Sequence, residues 1–191
     1  MIDNLFKAFS TQVELTESDK EICAPYFELI TFSKNSIVEE ENRVPRYLYF
    51  IVKGFMRLFY YDDNGDEVTT FIASSNAFIT PFLEFIHERK SKENLECITD
   101  CDVYKAERIS LMELINKNEN FKQFSLTIFE QAIATTQLRA NDLATLTAEL
   151  RYKKLLEQQP DIIQNVPVQY IASYLGIKPQ SLSRIRRQLI K

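Results

Sequence analysis

Apolar and polar positions change their spacing twice along this chain. Residues 1–24 mix short apolar clusters with acidic turns, and T16-E17-S18-D19 reads as a helix start with Thr16 as cap. From about Tyr26 to Glu107 the texture is that of strands. YLYFIVKGFMRLFYY is dense in aromatic and β-branched residues, DDNGDE interrupts it, VTTFIA follows, and LECITDCDVYKA at 95–106 is a further strand-like run. Asn64-Gly65 predicts a hairpin turn with positive φ at its centre. AFITPFLEFIHERKSKEN (77–94) reads as a short helix or loop set into the strands. Short strands separated by turn signals predict a β-sandwich or barrel.

After Ile109 the spacing is helical. Phe121 to Leu150 contains neither Gly nor Pro and would span about 45 Å as one helix. It carries two apolar stripes. Leu126, Phe129, Ile133, Ala140, Leu143 and Leu150 form the first; Phe121, Phe124, Ile128, Thr135 and Leu138 form the second, spaced near 3.5 residues. One stripe suffices to dock a helix on its own domain. The second is expected to pair two chains as a coiled-coil homodimer, the alternative being burial of both stripes within one subunit.

RYKKLLEQQPDIIQ (151–164) is a further amphipathic helix, interrupted at Pro160. Pro167 to Leu175 then suits a short helix with Val168, Ile171, Ala172 and Leu175 on one side. Gly176 ends it, and Pro179 begins another after a tight turn at Ile177-Lys178. Helix, glycine turn, helix is the helix-turn-helix pattern. At 100° per residue, Leu182, Ile185 and Leu189 fall within about 60° and form a packing face. Opposite lie Gln180, Arg184, Arg187 and Lys191, flanked by Ser181 and Ser183. Arg pairs bidentately with guanine and Gln with adenine, so this stripe fits a DNA major groove. Lys178 and Pro179 stand at its start. Arg186 lies nearer the apolar side and reads as a phosphate or structural contact.

Charge supports that reading. The chain of 191 residues has net charge −4, but residues 1–150 hold 15 basic and 25 acidic side chains and residues 151–191 hold 8 and 2. A +6 segment on a −10 body is expected where one part meets phosphate. Apolar content of 45% supports a real core, no apolar run is long enough to span a membrane, and no signal peptide is legible. Three irregularly spaced cysteines read as reduced thiols in a cytoplasmic protein. On one strand, Cys97 and Cys101 would share a face but sit about 13 Å apart, too far for a disulfide or a shared metal. His87 is the only histidine, which argues against a metal enzyme. No G-x-S-x-G, P-loop or H-E-x-x-H occurs, and the chain reads as a non-enzyme.

YLYFIVKGFMRLFYYDDNGDEV (47–68), ELRYKKLLEQQP (149–160) and IASYLGIKPQSLSRIRRQLIK (171–191) resemble the Crp/Fnr family of bacterial transcription regulators, in particular short members of the Bacteroidetes type. The resemblance implies an α+β fold with three parts. These are a cyclic-nucleotide-binding-type β-roll with flanking helices (1–120), a dimerisation helix (121–150), and a helix-turn-helix lacking a C-terminal wing (151–191). It further implies a homodimer, a palindromic site on double-stranded DNA, and RNA polymerase as a candidate partner. The family's nucleotide site carries Gly-Glu on a short helix for the ribose and an Arg before the next strand for the cyclic phosphate. The corresponding stretch is TPFLEFIHERKSKENLECI, with no Gly-Glu, and Lys92-Glu93 where the Arg would stand. A cyclic adenylate is therefore not the expected effector, and no cofactor is. Phe78, Phe82 and Phe85, with Lys92, Glu93 and a loosely matched Thr136, mark the candidate pocket: plain core packing, or a site for another small molecule. The rival function is a ligand-sensing or scaffold module whose basic tail meets a protein.

Overall fold

The computed structural model describes residues 2–10 and 15–189. It begins with α1 (Ile2–Ser10) and α2 (Glu17–Cys23), followed by a 3-10 turn at Ala24–Tyr26. Thr16 caps α2 as its sequence predicts. Its hydroxyl accepts from the Asp19 N–H, and the Asp19 carboxylate accepts the Thr16 N–H in return, completing a capping box. The same carboxylate accepts from the amide groups of Asn118 and Asn120. These bonds hold its pKa well below the carboxylate range, the Asn118 bond foremost.

The β region contains β1 (Glu28–Phe32), β2 (Ile37–Glu39), β3 (Tyr47–Lys53), β4 (Met56–Tyr61), β5 (Glu67–Ala73), β6 (Phe78–Ile79), β7 (Asn94–Cys97) and β8 (Cys101–Glu107), with α3 (Phe82–His87) between β6 and β7. Two antiparallel four-stranded sheets result, ordered β1-β8-β3-β6 and β2-β7-β4-β5. Tyr49, Ile51, Met56, Leu58, Ile79, Leu95, Cys97 and Val103 fill the space between them. The predicted β4–β5 hairpin is present, but only Gly65 has positive φ. The Asp62 carboxylate organises the turn by accepting from the N–H groups of Asn64 and Asp66.

The run read as one strand at 95–106 is two. Ile98, Thr99 and Asp100 turn the chain from one sheet into the other, so Cys97 and Cys101 are neighbours within the same core cluster rather than about 13 Å apart. Gly54 makes this turn possible. At φ +105° its Cα backs onto the turn so closely that an added Cβ would lie 2.5 Å from the Asp100 carbonyl and 2.6 Å from Cys101 Sγ.

Five helices follow: α4 (Arg108–Lys117), α5 (Glu119–Thr145), α6 (Ala148–Gln158), α7 (Pro160–Asn165) and α8 (Val168–Tyr174), then α9 (Pro179–Leu189) after the glycine turn. The expected single helix to Leu150 stops at Thr145. Leu146 is extended, and the Thr147 hydroxyl caps α6 by accepting from the Leu150 N–H. Leu150 therefore belongs to the C-terminal unit. The two stripes of α5 are not buried as expected. Phe121 and Phe124, assigned to a dimer interface, are 2% and 3% exposed within the chain's own core. They dock there because the rings of Phe27 and Phe78 meet them edge-on. Ile128 packs on the same cluster, Thr135 is half-buried and Leu138 is exposed. Leu126 and Ile133, from the stripe expected to dock internally, are 53% and 69% exposed.

Gly54→Ala is expected to destabilise the chain by about 3 kcal/mol, through a disfavoured φ and a clash against backbone. Urea unfolding measures this; an unchanged midpoint would show that the 98–100 turn yields freely.

Candidate nucleic-acid interface

The C-terminal unit has its own core of Tyr152, Leu155, Ile162, Val166, Ile171, Ala172, Leu175, Leu182 and Ile185. Full burial of such apolar side chains contributes about 1.5–3 kcal/mol each. α8 ends in a glycine cap: the Gly176 N–H reaches the Ser173 carbonyl at 2.9 Å and the Ile177 N–H reaches the Ala172 carbonyl at 3.0 Å. Gly176 has φ +66°, and a Cβ there would lie 3.0 Å from Leu143 of α5. The turn thus needs glycine for its conformation, and the long helix packs closely against it.

α9 buries Leu182 and Ile185, with Leu189 packed beside them. Lys178, Pro179, Gln180, Ser181, Ser183, Arg184 and Arg187 are all exposed. The Ser183 hydroxyl donates to the Pro179 carbonyl, and Arg187 Nε donates to the Ser183 carbonyl. Lys191, the last predicted member of the stripe, lies outside the described residues. Arg186 departs from the rest. It is half-buried, its guanidinium sits 5.7 Å from the Tyr152 ring centre, and Nε and Nη2 are buried without a hydrogen-bond partner. Of its two expected roles, the geometry displays the structural one.

Sequence reasoning missed what holds this unit to the β-roll. β5 is an edge strand, with backbone groups that need partners. The Thr69 N–H donates to the Ser173 hydroxyl at 2.8 Å, and that hydroxyl donates to the Glu67 carbonyl at 3.1 Å. Arg139 of α5 donates from Nη2 to the carbonyls of both Thr69 and Tyr174, at 3.1 Å each. Beneath lies Arg57, 1% exposed. Its Nε donates to Glu96 at 2.6 Å, Nη2 to Glu67, and Nη1 to the Thr69 hydroxyl at 3.2 Å. Phe59 covers one side of the guanidinium at 4.1 Å and Tyr170 of α8 covers it at 3.6 Å. One signal was available in the sequence: a lone Arg amid the apolar run FMRLFYY.

Of the residues of the expected effector pocket, the three phenylalanines meet in one core cluster, which Lys92, Glu93 and Thr136 do not join. Phe85 is fully buried, and Phe78 is stacked between Phe50 and Phe124. Phe82 leans on Phe129. The void among these aromatic residues is about 20 Å³, room for a single water. Core packing is thus the outcome for the phenylalanines. Thr136 is exposed, and its hydroxyl donates back to the Ala132 carbonyl within α5. Lys92 is exposed as well. Glu93 is turned inward and accepts a hydrogen bond from the Thr70 hydroxyl. Burial raises its carboxyl pKa; the Thr70 bond and the Arg139 charge oppose the rise, and Glu84 adds to it. No group of three or more candidate metal ligands occurs among the described residues.

Residues 29–118 match the cyclic nucleotide-binding domain family. No curated protein matches the sequence. Among solved structures, the chain is similar to FixK2 from Bradyrhizobium japonicum, with TM-score 0.75 at 18% identity over 85% of this chain and 84% of that one. It is similar to the c-di-GMP responsive global regulator CLP of Xanthomonas campestris, with TM-score 0.68 at 16% identity over 91% of each chain. A protein from Eubacterium rectale assigned to the Crp/Fnr family gives TM-score 0.68 at 14% identity, over 91% of this chain and 83% of that one. At such identities the likeness is one of fold. No described helix is long and apolar enough to cross a membrane.

Ser173→Ala would leave the Thr69 N–H without its acceptor. The expected cost is about 1–3 kcal/mol, together with faster amide exchange at Thr69. Parent-like exchange there would show that the edge of β5 is held by other contacts.

Proposed function

We propose that this chain, whose residues 29–118 belong to the cyclic nucleotide-binding domain family and whose fold is that of Crp/Fnr regulators, is a sequence-specific DNA-binding transcription regulator acting as a homodimer. The observation that carries this reading is the exposed stripe of Gln180, Ser183, Arg184 and Arg187 on a helix whose other face is buried. In this reading α9 enters the major groove, Arg184 reads a base edge, and Lys178 contacts phosphate. Two chains pair through Leu126, Ile133 and Ala140 of α5, which also fit heptad spacing and are exposed. Twofold pairing sets two recognition helices on a palindromic site, half-sites about one helical turn apart.

The effector, where one acts, is not a cyclic nucleotide. Glu93 stands near the position at which the family pattern places a phosphate-binding Arg, so the bidentate clamp for a cyclic phosphate is missing there. Gene control, rather than catalysis, then rests on docking between the β-roll and the C-terminal unit.

Two experiments test the proposal. Arg184→Ala is expected to weaken binding to a selected DNA site by about 1–3 kcal/mol and to relax preference at one base position, with binding to random DNA unchanged. Identical affinities for parent and variant would remove Arg184 as a reader. Leu126→Glu combined with Ile133→Glu is expected to give a monomer in sedimentation equilibrium, since it places charge in the apolar seam; a persistent dimer would place the interface elsewhere.

A further inference from the structure

Cys97 closes β7 and Cys101 opens β8, and both side chains are buried in the cluster between the sheets. The reversal at Ile98, Thr99 and Asp100 turns both thiols into the same core cluster, near enough to influence each other's ionisation. Cys101 Sγ also lies 3.4 Å from the Phe55 carbonyl and 3.2 Å from the Thr99 carbonyl. That mutual influence pushes Cys97 up and holds Cys101 below the ordinary thiol value. Cys101 is therefore the better nucleophile of the pair. Both thiols are buried, and the turn that joins them carries the exposed Asp100. Cys23 sits in a different cluster, where burial and then Asp19 push its thiol up to about 11. It serves as an internal control.

The residue between the thiols gives the pair its consequence. Ile98 is buried not in the sheet core but in the core of the C-terminal unit, with Tyr152, Leu155 and Ile171. Its N–H bonds the Phe55 carbonyl at 2.8 Å, and Phe55 packs on that same core. Any change in the conformation of the 97–101 turn therefore acts directly on the seat of the helix-turn-helix.

We propose that Cys97 and Cys101 form an oxidisable dithiol site for hydrogen peroxide, and that closing the disulfide displaces Ile98 and loosens the C-terminal unit from the β-roll. The Cys101 thiolate attacks one peroxide oxygen, the O–O bond breaks, and sulfenic acid and hydroxide form; the hydroxide takes up the proton lost from the thiol to give water. The Cys97 sulfur then displaces the hydroxyl from Cys101 sulfur, forming the S–S bond and a second water. Two electrons pass from the sulfurs to one peroxide, and a thiol reductant reverses the change.

The full chain would be treated with hydrogen peroxide, alkylated after denaturation, and digested with trypsin. Residues 93–105 form one tryptic peptide holding both cysteines. The expected result is a loss of about 2 Da in that peptide, with neither cysteine alkylated and both recovered after dithiothreitol, while Cys23 stays alkylated. Cys97→Ser should stop at a dimedone-reactive sulfenic acid on Cys101, and Cys101→Ser should form no disulfide. Amide exchange at Ile171 and Ala172 is expected to rise about tenfold on oxidation of the parent and in neither variant. A peptide 93–105 that stays reduced while Cys23 oxidises would overturn the site. A disulfide that forms with unchanged exchange in α8 would overturn its coupling to the helix-turn-helix.

Discussion

A guanidinium removed from water must be paired and covered, and the β-roll pairs Arg57 but does not cover it alone. Glu96 and Glu67 supply the charge, Thr69 a hydroxyl, and Phe59 one aromatic cover, all from strands. The other cover is Tyr170, from α8. Desolvating such a charge without compensation costs several kcal/mol, so the C-terminal unit completes the burial of a residue that belongs to the sheet. Arginine suits this position as lysine would not: its planar, delocalised cation stacks between rings while its edge donates to two carboxylates. The same contact settles the exposed edge of β5, whose free backbone groups find Ser173 and Arg139.

Arg139 ties this junction to the long helix. One nitrogen holds a carbonyl of β5 and a carbonyl at the end of α8, while its charge lies near Glu93. Sheet edge, helix α5 and helix-turn-helix therefore meet at a single side chain. α5 divides its two faces between these tasks: Phe121, Phe124 and Ile128 bind it to its own β-roll, and the face bearing Leu126 and Ile133 is left outward.

Much of the helical tail was legible because its signals are local. Gly176, Pro179 and the spacing of Leu182, Ile185 and Leu189 each act within a few residues, and together they fix the turn, the helix start and the buried face. Two stripes on α5 were also legible, but not which of them docks, since heptad spacing carries no information about the rings waiting at Phe27 and Phe78. Cys97 and Cys101 were misplaced because a run of strand-forming residues conceals a three-residue turn lacking Gly or Pro; the glycine that accommodates it, Gly54, lies on another strand connection. Arg57 and Tyr170 are 113 positions apart, and no local pattern joins them. Of the two expectations for Phe78, Phe82 and Phe85, core packing describes how they sit, since all three share one cluster with Phe50, Phe121 and Phe124.

The account turns on a pair of α9 helices reading DNA. Selection of binding sites from random duplexes at about 0.15 M salt, followed by hydroxyl-radical footprinting of the winning sequence, tests it most directly. It predicts one enriched sequence with twofold symmetry and two patches of protected deoxyribose about 34 Å apart. Enrichment of no sequence, with binding that disappears as salt is raised, would contradict it.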